Sequence, residues 1–88
     1  MKKTIYKYDA PVADDIVIDM PVGAEVLCVQ VQGDGPKIWA RVDPEATPTI
    51  TRRFHWRGTG HPADDCGRYV GTVQAMDGAL VFHLFEAA

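Results

Sequence analysis

The sequence predicts a small all-β domain, an antiparallel sandwich or barrel of about seven strands with no substantial helix. Short runs of β-branched and aromatic residues recur along the 88 residues, and turns rich in proline, glycine and aspartate separate them. No segment repeats its apolar residues at the period of a helix. A chain of this length predicts a single domain, residues 1–88, with a modest core.

The first two predicted strands cover residues 4–8 and 16–20. The first is rich in β-branched and aromatic residues, and the second places its apolar side chains on one face at alternate positions. A turn follows at residues 21–24, because Pro21 presets the backbone and Gly23 accepts a left-handed conformation.

The third and fourth predicted strands, residues 25–32 and 37–42, flank a tight hairpin at residues 33–36. The third strand is predicted to face the core with Leu27, Val29 and Val31. In the fourth strand, Trp39 and Arg41 share the outer face.

Three more strands are predicted at residues 49–59, 68–74 and 80–85. Two prolines exclude a central strand at residues 43–48, and an Asp-Gly pair predicts a hairpin before the last strand. That last strand is apolar on both faces except at His83, so we expect it to be central in its sheet or covered by a partner.

Charge and cysteine content exclude several classes of protein. The net charge of −3 argues against general nucleic-acid binding, although all five arginines lie between Arg41 and Arg68 and can form a local basic patch. Cys28 and Cys66 have neither metal nor redox spacing and are expected to be free thiols in a reducing cytoplasm. We find no signal peptide and no membrane-spanning run, so a cytoplasmic location is expected.

The segment that contains the densest binding chemistry is residues 52–62. In its strand, Arg53, His55 and Arg57 fall on one face at a spacing of about 7 Å, and apolar residues occupy the other face. Three such donors beside a glycine-rich turn suit a phosphate or a carboxylate. The alternative is a solvated face with ordinary cross-strand ion pairs, and Arg52 is expected to serve the edge.

Other residues extend this candidate site. The turn after the strand resembles a backbone anion cradle and consists of Gly58, Thr59, Gly60 and His61. Trp39 or Tyr69 is predicted to stack on a planar ligand. The alternatives are a plain turn for the glycines and a protein interface for Trp39.

No cofactor, metal or catalytic residue is predicted. The histidines and the Asp64-Asp65 pair are suitable ligand types, but their spacing matches no known metal motif. The chain contains no serine, and Cys66 has no histidine at a recognisable spacing, so a nucleophile is missing. A small hydrolase with His61 as base is therefore only the third hypothesis.

Several motifs are spread along nearly the whole chain. They include Ile5-Tyr6-Lys7-Tyr8, Val29-Gln30-Val31-Gln32, Val42-Asp43-Pro44, Gly58-Thr59-Gly60-His61-Pro62, Arg68-Tyr69-Val70-Gly71-Thr72 and Val81-Phe82-His83. Together these motifs resemble a family of small proteins that tailed phages and prophages encode. The resemblance implies a setting, an accessory protein made inside an infected bacterial cell, but it does not point to a particular activity.

The leading hypothesis is a non-enzymatic binding protein that captures a small anionic, nucleotide-like ligand, for example a host immune signal. The alternative is a protein–protein inhibitor of a host factor or a minor phage assembly component, with Trp39 and Arg41 at the contact. Because the core is small and the last strand is apolar on both faces, a homo-oligomer is expected, most simply a dimer.

Overall fold

The computed structural model describes residues 2–88 and consists of seven β-strands in two antiparallel sheets. This arrangement confirms the predicted all-β sandwich. The strands are β1 (Thr4–Asp9), β2 (Asp15–Pro21), β3 (Glu25–Gln32), β4 (Gly35–Val42), β5 (Thr49–Gly58), β6 (Arg68–Ala75) and β7 (Leu80–Glu86). Within these residues there is no helix with the length and apolarity needed to cross a membrane.

Strand order separates the chain into a three-stranded sheet, β1-β4-β3, and a four-stranded sheet, β2-β5-β7-β6. The last strand, β7, lies between β5 and β6, which confirms the expectation of a central strand. Its inner face packs into the core through Leu84, and its outer face includes His83 and Phe85.

The core lies between the two sheets and is built from alternate residues of each strand. Phe54 and Trp56 of β5 are buried, whereas their neighbours Arg53, His55 and Arg57, which point to the opposite face of the strand, are more exposed. The largest fully buried side chains are Phe54, Met20, Ile38, Leu84 and Val42.

A β-bulge in β3 changes one predicted face. The register with β4 shifts between Val26 and Cys28, so Val26 and Val29 are both buried and Leu27 is 41% exposed. The prediction that Leu27 faces the core is therefore wrong, because an extra residue in one strand breaks the alternation. Cys28 lies opposite Trp39, and both cysteines are free thiols.

The sandwich is closed along one side and open along the other. On the closed side β3 and β6 approach so closely that a side chain at Gly71 would collide with Val29. On the open side, β1 and β2 end their respective sheets, and the inner residues Ile16 and Ile18 are only partly buried. Tyr6 on this side is 41% exposed.

Candidate functional site

The outer face of the four-stranded sheet contains three of the four cationic or titratable side chains of β5. Arg53, His55 and Arg57 alternate with buried Phe54 and Trp56, so the predicted alternation is present. No strand of the described chain covers this face, since the three-stranded sheet packs on the opposite side.

Sheet register adds side chains from β7 and β6 to this face. His55 lies opposite Phe85, which in turn lies opposite Tyr69. Tyr69 and Phe85 form an edge-on aromatic pair with ring centroids 5.7 Å apart. One row along, Arg57 lies opposite His83. We call the surface formed by these residues the ligand face, because four of them are predicted to bind a ligand; its members are Arg53, His55, Arg57, Tyr69, Thr72, His83 and Phe85.

A chain of hydrogen bonds crosses the ligand face. His83 Nε2 is 2.8 Å from the hydroxyl of Thr59, and His83 Nδ1 is 2.9 Å from the hydroxyl of Thr72. The Thr72 hydroxyl is also 2.5 Å from the phenol of Tyr69. Because hydroxyls both donate and accept, these hydrogen bonds can form with either tautomer of the His83 imidazole. The chain fixes Tyr69, which is 55% exposed and so presents its ring to solvent.

The three β5 side chains of the ligand face differ in the partners that they already have. His55 Nδ1 is 2.5 Å from a carboxylate oxygen of Asp15. Arg57 Nη1 donates to the carbonyl oxygens of Asp14, at 3.0 Å, and Trp56, at 2.7 Å, which leaves its other nitrogens for a ligand. Arg53 is exposed and forms no ion pair within residues 2–88. Arg53 is therefore the side chain most ready to accept an anion.

Two backbone amides of the glycine-rich turn already donate hydrogen bonds within the chain. The amide of Thr59 donates to Val81 at 3.2 Å, and the amide of His61 donates to Gly58 at 3.1 Å. The ring of His61 lies against the position where Gly58 would have a Cβ atom, on the side of the sheet occupied by Trp56. Of the predicted turn residues, Thr59 reaches the ligand face and His61 does not.

Trp39 lies on a different surface from Arg53. It belongs to β4 and occupies the outer face of the three-stranded sheet, between Lys7 and Cys28. The outer faces of the two sheets point in opposite directions, so one small ligand cannot touch both Trp39 and the ligand face. Tyr69 is the predicted stacking residue that lies on the same face as Arg53 and Arg57, with β7 between its strand and theirs.

A part-buried ion pair contains Arg52, the arginine that the sequence predicts at the edge. Arg52 lies in phase with Phe54, on the inner face, and binds both carboxylate oxygens of Glu86 at 2.5 and 3.0 Å. It also donates to the carbonyl oxygen of Ala24 at 2.8 Å, and Arg68 approaches Glu86 at 3.3 Å. The edge interpretation of Arg52 is wrong. The sequence contains a signal for this pair, since Glu86 follows Leu84 at core-facing spacing.

Two recesses lie at the end of the sandwich near the β3–β4 hairpin. One, of about 420 Å³, is lined by Asp9, Asp34 and Lys37 among others. The other, of about 380 Å³, is mainly apolar and includes Phe82. Phe82 packs edge-on against Trp56, whose buried indole N–H has no acceptor within the described residues. Neither recess includes a residue of the ligand face.

Lys37 organises the charges of the first recess. Its ammonium group is 2.6 Å from Asp9 and 3.2 Å from Asp34. The hydrogen bonds that Lys37 donates to these carboxylates raise its own pKa, and the bond to Asp34 holds the pKa of that carboxyl below its usual value. Replacing Lys37 with methionine should therefore move the carboxyl pKa of Asp34 upward, which carbon-detected NMR titration measures. An Asp34 titration unchanged by the substitution would contradict the contact.

No group of three or more histidine, cysteine, aspartate or glutamate side chains within residues 2–88 is placed to hold a metal ion.

The family model described as Domain of unknown function (DUF7352) matches residues 1–88, the full length of the chain. The chain belongs to this family. The description of the family names no activity. No curated protein and no solved structure matches the chain.

Proposed function

We propose that this DUF7352 domain is a non-enzymatic binding protein that holds a small anionic, nucleotide-like ligand on the ligand face. The observation that supports the proposal is the register of β5, β7 and β6, which gathers Arg53, Arg57 and the exposed ring of Tyr69 on one uncovered sheet surface. Arginines beside an aromatic ring are the usual means of holding a phosphate and a base together.

Each part of the ligand face has a separate role in this proposal. Arg53 has no ion pair within residues 2–88, so its guanidinium is available for a phosphate. Arg57 is fixed by two backbone carbonyls and presents its remaining nitrogens. Tyr69 is held by Thr72 and by Phe85, which orients its ring for stacking on a base. Binding then needs little reordering of side chains, which favours affinity.

The phage setting implied by the sequence resemblance reduces the number of candidate ligands. In an infected cell, the host produces nucleotide-like immune messengers. A small accessory protein that captures such a messenger would benefit the phage. Such a protein binds its ligand without turnover. Cyclic dinucleotides, cyclic trinucleotides and ADP-ribose derivatives are the ligands to examine first.

Calorimetric titration of the domain with these nucleotides tests the proposal. We expect one of them to bind, and Arg53→Ala or Arg57→Ala to weaken that binding about tenfold or more, since a charge-assisted hydrogen bond contributes about 1.5–3 kcal/mol. Tyr69→Leu should also weaken it, because the stacking ring is lost. NMR shift perturbations should fall on β5, β6 and β7.

The matched control is Arg41→Ala, which removes an exposed arginine of the three-stranded sheet that pairs with Glu25 at 2.5 Å. This variant should bind as the parent does. Absence of binding by every nucleotide in the panel, or equal losses in Arg41→Ala and Arg53→Ala, would overturn the proposal.

A second candidate function is supported by the surface around Trp39. This half-buried ring lies between Lys7 and Cys28 with Arg41 nearby, and tryptophan and arginine are enriched at the centres of protein interfaces. A host protein captured there would make the domain an inhibitor. Trp39→Ala should abolish binding of the host protein, whereas Arg53→Ala should leave it unchanged. The reverse pattern would show that the ligand face, and not the surface around Trp39, binds the partner.

A further inference from the structure

The open side of the sandwich has two free strand edges with matching backbone geometry. The amide of Ala10 donates to Pro36, and the amide of Trp56 donates to Asp14. Even-numbered residues of β1 and β2 therefore direct their backbone groups to β4 and β5. In an antiparallel ladder alternate residues face opposite edges, so the odd-numbered residues direct their N–H and C=O groups to solvent.

The side chains of these odd-numbered residues have complementary charge and apolarity. On and just before β1 they are Lys3, Ile5, Lys7 and Asp9, of which Asp9 is paired with Lys37 at 2.6 Å. Lys3, Ile5 and Lys7 of this edge can be compared with Asp15, Val17 and Asp19 on β2. Both patterns place a β-branched apolar residue between two charges of one sign, and the sign is opposite on the two strands. Ile5 is 57% exposed and Val17 is 59% exposed, the two highest values for large apolar residues in the strands.

One antiparallel register matches all three positions. It places Lys7 opposite Asp15, Ile5 opposite Val17 and Lys3 opposite Asp19. A shift by two residues in one direction places Asp9 beside Asp15, and a shift in the other direction places Lys3 beside Val17. Opposite charges across an antiparallel pair stabilise it, and like charges destabilise it. On the inner face, the same register brings Tyr6 over Ile16, which is only partly buried in the single chain.

Within one chain these edges cannot pair, because β1 and β2 belong to different sheets. We propose that the domain forms a two-fold dimer in which β1 of each copy pairs with β2 of the other. A two-fold axis parallel to the strands places each β1 beside the second copy's β2 and leaves strand direction unchanged. Residues 10–14 are too few to carry the chain back along a strand of about 20 Å, so β2 runs opposite to β1 and the new pairs are antiparallel.

The side chains at this edge have room for the new contacts. Asp15 and Asp19 each use one carboxylate oxygen within the chain, on His55 and Thr51. Lys7 donates to Gln32 at 2.7 Å and has further protons to donate. The proposed contact buries Ile5 and Val17, joins each three-stranded sheet to the partner's four-stranded sheet and closes both free edges. The proposal is independent of the ligand face.

Charge reversal tests the dimer by sedimentation. The unaltered domain should sediment with twice the mass of the chain. Lys3→Asp/Lys7→Asp and Asp15→Lys/Asp19→Lys should each weaken the dimer at least about a hundredfold, because like charges then face each other across both contacts. A mixture of the two variants should form a one-to-one heterodimer, since both of its contacts again join opposite charges.

The control pair Gln30→Asp/Gln74→Asp adds charges to the other two edge strands, β3 and β6, and should leave the dimer intact. Should a charge-reversed variant fail to fold, two further measurements decide. Val17→Pro removes an amide that faces the free edge and spares the pairing with β5, so it should abolish the dimer. In the unaltered domain, the amides of Ile5, Lys7 and Val17 should exchange more slowly as protein concentration rises.

A domain that stays monomeric at millimolar concentration would overturn the proposal. So would a dimer that survives both charge reversals, or amides of Ile5 and Val17 that exchange at the same rate at all concentrations. Assembly into open chains rather than pairs would also overturn it, because the two-fold axis requires closure.

Discussion

Replacing Arg52 with methionine should lower the free energy of unfolding by about 2–4 kcal/mol. The substitution removes the two hydrogen bonds that the carboxylate of Glu86 receives at 2.5 and 3.0 Å. The Glu86 side chain is only 10% exposed, so its charge would remain largely desolvated with Arg68 as its one ion-pair partner. The side chain of Arg52 is 17% exposed, which places the expected loss below the largest values for buried pairs.

Arg53→Met is the matched control, because Arg53 is the next residue, is exposed and has no ion pair within residues 2–88. It should change stability by no more than about 0.5 kcal/mol. The double variant Arg52→Met/Glu86→Leu should recover part of the loss, since no unpaired charge stays buried. Urea denaturation measures all three, and equal losses in Arg52→Met and Arg53→Met would show that the inner pair has no special role.

Replacing Gly67 with alanine should destabilise the domain by at least about 2 kcal/mol more than the same change at Gly60. A Cβ atom at Gly67 would lie 2.8 Å from the carbonyl carbon of Glu86 and 2.9 Å from the Cα atom of Ala87. These are backbone atoms of the end of β7, so they cannot rotate away. The close approach holds the start of β6 beside Glu86, and the strand ends would have to separate.

Gly60→Ala separates this contact from the cost of backbone conformation. Gly60 has φ of +89° and Gly67 has φ of +97°, but a Cβ atom at Gly60 would meet nothing within 4 Å. Gly60→Ala should therefore cost only about 1–2 kcal/mol for the left-handed backbone. Thermal and urea denaturation of both variants give the difference. Equal losses would mean that the chain near Gly67 moves aside easily.

The positions of the seven strands could be predicted from the sequence, because strand signals are local. Alternation in β5 put Phe54 and Trp56 in the core as expected, since successive side chains of a strand must point to opposite faces. The same rule failed in β3, where the bulge depends on how β4 pairs with it. No pattern within residues 25–32 marks the extra residue that exposes Leu27.

The candidate site was only partly predictable. Arg53, His55 and Arg57 share a face because they belong to one strand, and that much is a local property. Tyr69 and His83 join them through the order of β5, β7 and β6, which no local pattern contains. Trp39 was predicted near the ligand, and it lies on the opposite surface because β4 belongs to the other sheet.

The sequence by itself determined the strands, their turns and the face on which most side chains lie, because these follow from neighbours a few residues apart. Only the tertiary structure decided which strands pair. Strand order placed Arg52 against Glu86, 34 residues away, assembled the ligand face and left β1 and β2 as free edges of opposite charge. Pairing between distant strands depends on how all the apolar faces pack together, and no single segment of the sequence contains that information.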